Sequence, residues 1–335
     1  MSERERVRWG VLGNARIARL CVIPAMQKSC NGLCSAIASR SPDKVQEVAA
    51  QHSIPHRYGS YEDLLADPAI DAVYIPLPNH LHQPWTLAAL ASGKHVLCEK
   101  PLALNVGEAQ QMAQAAEAAG LCLMEAFMYR FHPRSQRIKE WVKQGRVGEP
   151  RLIRAAFCFS LRDPDNIRLL PEAGGGALLD VGCYGVSVAR WLFGSEPEEA
   201  QAQAVYGPTG ADLHFVGLLR FPKGRLAVVE ASFVSALQQT YTVVGSKGAI
   251  DLPHDAFVPK DPEAIFYLRG IDEAVGSVQT IQGADQYQLM VEHFGDAVLE
   301  KDPLGWASRD SINNMRVLDA LAEAARSGRS IPIRG

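Results

Sequence analysis

No run of apolar residues in this 335-residue sequence approaches the ~20 that a membrane-spanning helix needs. Neither sign of charge prevails: 34 Lys and Arg stand against 37 Asp and Glu, for a net charge of −3. That balance argues against a general nucleic-acid binder and leaves room only for a local basic patch. Cysteine is sparse and odd in number, at Cys21, Cys30, Cys34, Cys98, Cys122, Cys158 and Cys183, with no CxxC pair. Such residues read as small buried hydrophobes in a reducing cytoplasm, not as a disulfide framework or zinc ligands. The start, MSERERVRWG, is charged and passes directly into a strand pattern, so no signal peptide is expected. Internal repeats and low-complexity segments are missing too. What remains is a globular chain, 47% hydrophobic and 21% charged, long enough for two domains.

The first third alternates strand and helix. RWGVLG, LCSAIAS, a short strand at His56–Tyr58, AVYIPLP, HVLCE and LCLMEA read as six strands. Helices are expected at Ile17–Lys28 with a break at Pro24, at Pro42–His52, over YEDLLA, at His80–Ser92, and up to Ala119. Gly93 and Gly120 end the last two. Short apolar strands alternating with helices predict right-handed βαβ units and a doubly wound parallel sheet, here assigned to residues 1–125. After Glu125 the rhythm changes. RLIRAAFCFSL, LHFVGLLRF, RLAVVEASF and TYTVVG read as strands, with SKG turning into AIDLP. Leu213, Phe215, Gly217, Leu219 and Phe221 share one side, the alternation of a half-buried antiparallel strand. Helices around Gln136–Gln144, Leu178–Phe193, Tyr287–Leu299 and Asp310–Arg326 complete an α+β domain over 126–335, built on an open-faced, mostly antiparallel sheet.

Between the first strand and helix lies Gly13-Asn14-Ala15-Arg16-Ile17-Ala18. A dinucleotide turn of the Gly-x-Gly-x-x-Gly type lets a helix N-terminus meet pyrophosphate. Only the first glycine is present; Ala18 suits the helix-packing position, whereas Ala15 puts a methyl where backbone should approach phosphate. The second strand ends Ala38-Ser39-Arg40, about 20 residues on, where an NAD enzyme offers a carboxylate to the ribose. Ser39 and Arg40 instead suit a 2′-phosphate, so NADP is expected in preference to NAD, against the bland reading of Arg40 as a solvated loop residue.

Ligands of open α/β sheets bind outside the carboxyl ends of the strands. Leu77-Pro78-Asn79 occupies that end of the fourth strand, and Glu99-Lys100-Pro101 that of the fifth. A lysine there points at the nicotinamide end of a dinucleotide, and a Lys-Pro bond can adopt cis at modest cost. The bland alternative is a strand-end salt bridge through Glu99, with Lys100 in water. Gly174-Gly175-Gly176 opens a helix on which Asp180 and Tyr184, four apart, share a face. A carboxylate and a phenol on an otherwise apolar helix are costly to bury without a partner or purpose.

HVLCEKPLA and GGGALLDVGCYG together resemble the Gfo/Idh/MocA oxidoreductase family, over essentially the whole chain. AVYIPLPNHLH, with Asn79 and His82, and MEAFMYRFHP, with Arg130, are similar to family segments as well. The resemblance is strongest to the subgroup of glucose–fructose oxidoreductase, NADP-dependent xylose dehydrogenase and dimeric dihydrodiol dehydrogenase. That subgroup carries tyrosine where inositol dehydrogenases carry histidine; Tyr184 and Val188 depart from the histidine version. The resemblance implies a Rossmann domain plus a sheet domain that mediates homodimers or higher homo-oligomers. It also implies Lys100 and Tyr184 as catalytic residues, Asp180 nearby in the substrate cleft, Arg130 as a substrate contact, and a sugar or polyol substrate. The chemistry agrees: hydride leaves for nicotinamide while the hydroxyl proton needs an acceptor. A free tyrosine titrates near ~10, and a cation within reach favours phenolate by about 1–3 units. Glu99 would orient Lys100 or support the turn.

Two weaker features stand beside these. His80-x-His82 lacks a carboxylate cluster and diverges on a helix start, so packing or cofactor contact is favoured over metal binding. Asn166 and Arg168 lie in a loop and could meet substrate hydroxyls, or be ordinary exposed residues. Two other functions are compatible with the fold: a non-catalytic dinucleotide-binding regulator, which has no need of Lys100 with Tyr184, and an enzyme that holds NAD tightly and uses transient oxidation to drive elimination, as some glycosidases do.

Overall fold

The computed structural model describes residues 6–259, 262–300, 304 and 308–334. The charged start, Met1–Glu5, lies outside them. Among the described residues the strands form two sheets. The first holds β1 (Val7–Leu12), β2 (Gly32–Ala38), β3 (His56–Tyr58), β4 (Ala72–Ile75), β5 (His95–Cys98) and β6 (Leu123–Glu125). All pairs are parallel, in the order 3-2-1-4-5-6. Val11, Ile37, Val73, Ile75, Val96 and Leu97 are fully buried, because helices cover a parallel sheet on both faces. The strand order reverses beside β1, which places the crevice at the carboxyl ends of β1 and β4.

Five helices link these strands: α1 (Ile23–Lys28), α2 (Pro42–Gln51), α3 (Tyr61–Ala66), α4 (His82–Ala91) and α5 (Val106–Ala119). The break expected at Pro24 is a change of helix type. Residues Ala18–Val22 form a π turn before α1 starts with Pro24 in its first turn. Proline has no N–H to donate back to the preceding turn, so the regular ladder cannot run through it.

The chain divides into two compact units at different places from the expected border at 125. The first unit runs to Phe131 and takes up Asp285–Ile312; the second comprises His132–Ala284 and the residues from Asn313 onward. The return has a packing cause. In the first unit, α8 (Gln286–Val298) sets Phe294 5.2 Å from buried Trp9, while Asn31 donates to the Glu292 carbonyl at 2.7 Å and to Asp296 at 2.8 Å.

The second unit is built on β7 (Pro150–Ser160), β8 (Glu199–Tyr206), β9 (Asp212–Phe221), β10 (Arg225–Ser232), β11 (Val234–Gly245), β12 (Gly248–Leu252), β13 (Glu263–Gly270), β14 (Ser277–Gln282) and β15 (Ile331–Pro332). Their order is 14-13-12-11-7-10-9-8-15, antiparallel except for β7 with β10. Four strands lie beyond those expected: β8, β13, β14 and β15. Helix α6 (Pro133–Lys143) begins three residues earlier than expected, because His132 caps it by accepting from the Arg134 amide at 3.0 Å. Every residue of α7 (Cys183–Phe193) is buried, as expected of a helix apolar all round. Phe215, Leu219 and Phe221 face inward on β9, and Val216 and Leu218 alternate outward. The last helix, α9 (Ser308–Ser327), closes the fold. Among the described residues no helix is long and apolar enough to cross a membrane, and no three His, Cys, Asp or Glu cluster to hold a metal.

Candidate active site

In the first unit, the phosphate-turn candidates follow β1. Gly13 has φ +102°, and a Cβ there would press within 2.8 Å of Leu77 Cδ2, so glycine is required at the close approach of the two loops. Leu77 follows β4, and thus the β1 and β4 loops meet at the crevice. Asn14, Ala15, Arg16 and Ile17 lead into the π turn, and Ala18 is fully buried at the helix-packing position. The Asn14 Oδ1 atom is buried without a hydrogen-bond partner. An orphaned acceptor beside a positive-φ glycine at a helix start fits a turn shaped for a ligand that brings its own polar groups. Ser39 is buried and Arg40 exposed at the end of β2. Across the described residues this set fits a dinucleotide carrying a 2′-phosphate.

The turn after β5 is held from three sides, and the Lys100–Pro101 peptide is cis. From β4, the buried Tyr74 hydroxyl donates to Glu99 Oε1 at 2.6 Å, and Glu99 Oε2 accepts from the Lys100 amide at 3.3 Å. Glu99 therefore supports the turn through Tyr74. From α4, buried His82 places Nδ1 2.8 Å from the Pro101 carbonyl and Nε2 2.8 Å from that of Leu77. Two carbonyl acceptors favour a doubly protonated ring, but burial is the larger influence and pushes its pKa down to about 4. The ring is neutral at neutral pH and latches the β4 loop to the β5 turn, consistent with packing rather than metal. From β6, buried Glu125 accepts from the Leu102 amide at 2.9 Å. Burial, aided by Asp310, lifts its pKa to about 7, against the pull of Ser311, Arg130 and that amide. Asn79 starts the short 3-10 turn after Pro78, and Lys100 is half-buried.

Arg130 differs from its expected role as a substrate contact. It is 1% exposed, and its Nη1 donates to Asp310 Oδ2 at 2.7 Å within the first unit. Desolvating a guanidinium requires such a partner, and here Asp310 supplies it.

In the second unit, the three glycines prove to be sites of close approach. A Cβ at Gly175 would lie 2.5 Å from the Arg168 carbonyl and 2.7 Å from that of Leu170. At Gly176, with φ +117°, it would collide with the Asp212 carboxylate. That carboxylate caps the helix start, accepting from the Leu178 amide at 2.7 Å. Burial raises the Asp212 pKa to about 6 despite the backbone N–H donors of Leu178 and Ala177. Residues Leu178–Gly182 form a π turn before α7, so the helix carrying Asp180 and Tyr184 opens wider than its spacing suggests. Asp180 accepts from Arg168 Nε at 2.6 Å, and Asn166 accepts from the Arg168 amide at 3.2 Å as a cap. The 161–173 loop is thereby strapped to the helix by the residues expected to meet substrate. The Tyr184 ring is 4% exposed and packs 5.3 Å from Phe157 and 5.1 Å from Phe257, rings that fix its direction.

Comparisons with known proteins agree with this arrangement. Residues 7–127 match the family described as oxidoreductase, NAD-binding Rossmann fold, and residues 135–251 match the GFO/IDH/MocA C-terminal domain. A D-xylose 1-dehydrogenase (NADP+) from Haloferax volcanii is 39% identical over 97% of this chain and 99% of its own length. A trans-1,2-dihydrobenzene-1,2-diol dehydrogenase from Xenopus tropicalis is 34% identical over 75% of this chain and 77% of its own. A 3-ketoreductase from Actinomadura kijaniata, solved with TDP-benzene and NADP, superposes with a TM-score of 0.87 at 29% identity over 95% and 98% of the two chains. Sequence, fold and site residues together place this chain in the Gfo/Idh/MocA family of oxidoreductases.

Proposed function

We propose that the protein is an NADP-dependent dehydrogenase or reductase acting on a CH–OH carbon of a sugar, ketosugar, or related polyol or cyclic diol. The observation that carries this reading is the Glu99-Lys100-Pro101 turn, held by Tyr74, His82 and Glu125 at the carboxyl end of β5. A lysine fixed so elaborately at a strand end suits chemistry better than a surface ion pair. Gly13 to Ile17 would hold the pyrophosphate, Ser39 and Arg40 the 2′-phosphate, and the Leu77–Asn79 loop the nicotinamide half. When bound, NADP supplies the nicotinamide carbon that exchanges hydride with substrate. Tyr184 would take or give the hydroxyl proton at its phenol oxygen, while the Lys100 ammonium holds the substrate oxygen and favours the phenolate. Asp180, held by Arg168, would fix the loop over the reacting carbon. A reducing, cytoplasmic setting suits the seven free thiols.

The test is a panel of aldoses, ketosugars and cyclic diols, each offered with NADP and with NAD. NADPH formation with at least one polyol is expected. Product formation without net NADPH would favour the elimination enzyme. Tight dinucleotide binding with no turnover across the panel would favour the regulator.

We also propose a homodimer through the open face of the second sheet. Val205 is 61% exposed there, and Val216, Leu218 and Leu226 are 39, 36 and 37% exposed on neighbouring strands. Contiguous apolar area of this kind is rare on monomers. Light scattering at micromolar concentration should give at least twice the chain mass; a monomeric mass overturns the proposal.

A further inference from the structure

Arg40 alone is an incomplete device for telling NADP from NAD. It is exposed, and a flexible guanidinium must be ordered each time it meets a phosphate, at a cost in rotamer freedom. Selectivity improves if a fixed neighbour orders it beforehand. The first unit contains one such neighbour, on an element that the strand-end rule does not consider.

Tyr61 is the first residue of α3, after Ser60 caps the helix by accepting from the Asp63 amide at 3.0 Å. Its side chain is 8% exposed, and its ring stands edge-on to Trp85 of α4, with centroids 4.7 Å apart and planes at 87°. The ring therefore has little freedom. Its hydroxyl lies beside the phosphate turn, 3.5 Å from where a Cβ on Gly13 would stand. On its other side it hydrogen-bonds the Arg40 guanidinium. Burial holds the phenol above its ordinary pKa, and the Arg40 charge pulls the other way. A neutral phenol can accept from guanidinium and still donate its own proton. One hydroxyl thus touches both the turn expected to carry pyrophosphate and the cation expected to carry the 2′-phosphate.

We infer that Tyr61 is a specificity-determining residue: its phenol oxygen orders Arg40 and, with it, forms the subsite that recognises the 2′-phosphate of NADP. This inference rests on the proposed role of Arg40. It differs from a packing role for Tyr61, because packing would support NADP and NAD alike. The ring against Trp85 serves packing, and the hydroxyl serves discrimination.

The two contributions separate in Tyr61→Phe, which keeps the ring and removes the oxygen. NADPH and NADH affinities are measured by fluorescence titration on wild type, Tyr61→Phe, Arg40→Ala and the double variant. Arg40→Ala is expected to weaken NADPH at least ~10-fold, about 1.4 kcal/mol, and NADH less than twofold. Tyr61→Phe should weaken NADPH ~3- to 10-fold and leave NADH unchanged, which also certifies its fold. In the double variant, Tyr61→Phe should add almost nothing to Arg40→Ala, because it acts on a guanidinium that is gone. If Arg40→Ala is selective but Tyr61→Phe is silent, weakens both cofactors equally, or adds fully to Arg40→Ala, the inference about Tyr61 fails alone. If Arg40→Ala shows no preference for NADPH, the role of Arg40 fails and that of Tyr61 with it.

Discussion

Lys100→Met and Tyr184→Phe are each expected to lower turnover at least ~100-fold, the loss typical of a positioned acid–base group. The Lys100 backbone is fixed by Glu99, His82 and Glu125. The Tyr184 ring is fixed by Phe157 and Phe257. Neither substitution disturbs those contacts, so the loss should appear in the chemical step. NADPH affinity should change little in Tyr184→Phe, because the phenol is assigned to substrate. If the ammonium lowers the phenol's pKa and both groups hold one oxygen, they act as a unit. The double variant should then lose far less than the product of the single losses. The pH dependence sharpens the test. Loss of the cation should move the basic limb of the rate profile upward in Lys100→Met, as the phenol returns toward ~10. A surface ion pair at Lys100 would instead cost under ~1 kcal/mol of stability and leave turnover intact. Near-wild-type turnover in Lys100→Met would therefore reduce Glu-Lys-Pro to the way a strand ends.

The parts of this fold that were legible in the sequence are those where burial leaves a pattern in neighbouring residues. AVYI and HVLC are apolar throughout because helices cover both faces of their sheet, and all but the first residue of HVLC are buried. Strand β8, EAQAQAVY, is a weak alternation of alanine with glutamine, since only Ala200 in it is fully covered. Strand β14, SVQTIQ, is a polar edge with nothing to bury, and β15 is two residues long. Strand β13, EAIFYLRG, follows a Pro- and Asp-rich stretch that reads as loop. The return of Asp285–Ile312 to the first unit depends on Trp9 and Asn31, more than 250 residues away, and no local pattern records it.

The site divides along the same line. Gly13, Glu99-Lys100-Pro101 and the three glycines are readable because a turn demands particular residue types at particular places. The groups that hold them are not. Asp212 reaches the Leu178 amide from 34 residues away, and Glu125 reaches Leu102 from 23. Each is a single carboxylate on a strand with no motif around it. Arg130 shows the converse: a family-like segment pointed to substrate, while its geometry serves Asp310. The glycines were read as a helix opening, and the structure adds the reason. Gly175 admits the 168–170 backbone and Gly176 admits Asp212.

Glu125→Gln should change how stability depends on pH, and Glu125 is the residue where the sign can be worked out in full. Its carboxyl is buried beneath the Lys100–Pro101 turn, with Asp310 as a second anion and Ser311, Arg130 and the Leu102 amide as its favourable neighbours. Burial dominates, so its folded pKa of about 7 lies above the unfolded value near 4.5. Between those values the folded state binds more protons than the unfolded state. Stability contributed by this group is therefore full below about pH 4.5 and is lost as pH rises through 7. The shift corresponds to roughly 3 kcal/mol as an upper bound, since each unit is worth about 1.36 kcal/mol. Glutamine keeps the oxygen that accepts from Leu102 and cannot ionise. Relative to wild type, the variant should thus gain on the order of 3 kcal/mol between pH 4.5 and pH 8. In thermal unfolding the gap between the two proteins should move by roughly 5 °C or more over that range, in favour of the variant at high pH. Because only the difference is read, other titrating groups cancel. Parallel curves for the two proteins would show that Glu125 is ionised at both extremes, and that Arg130 and the Leu102 amide outweigh its burial.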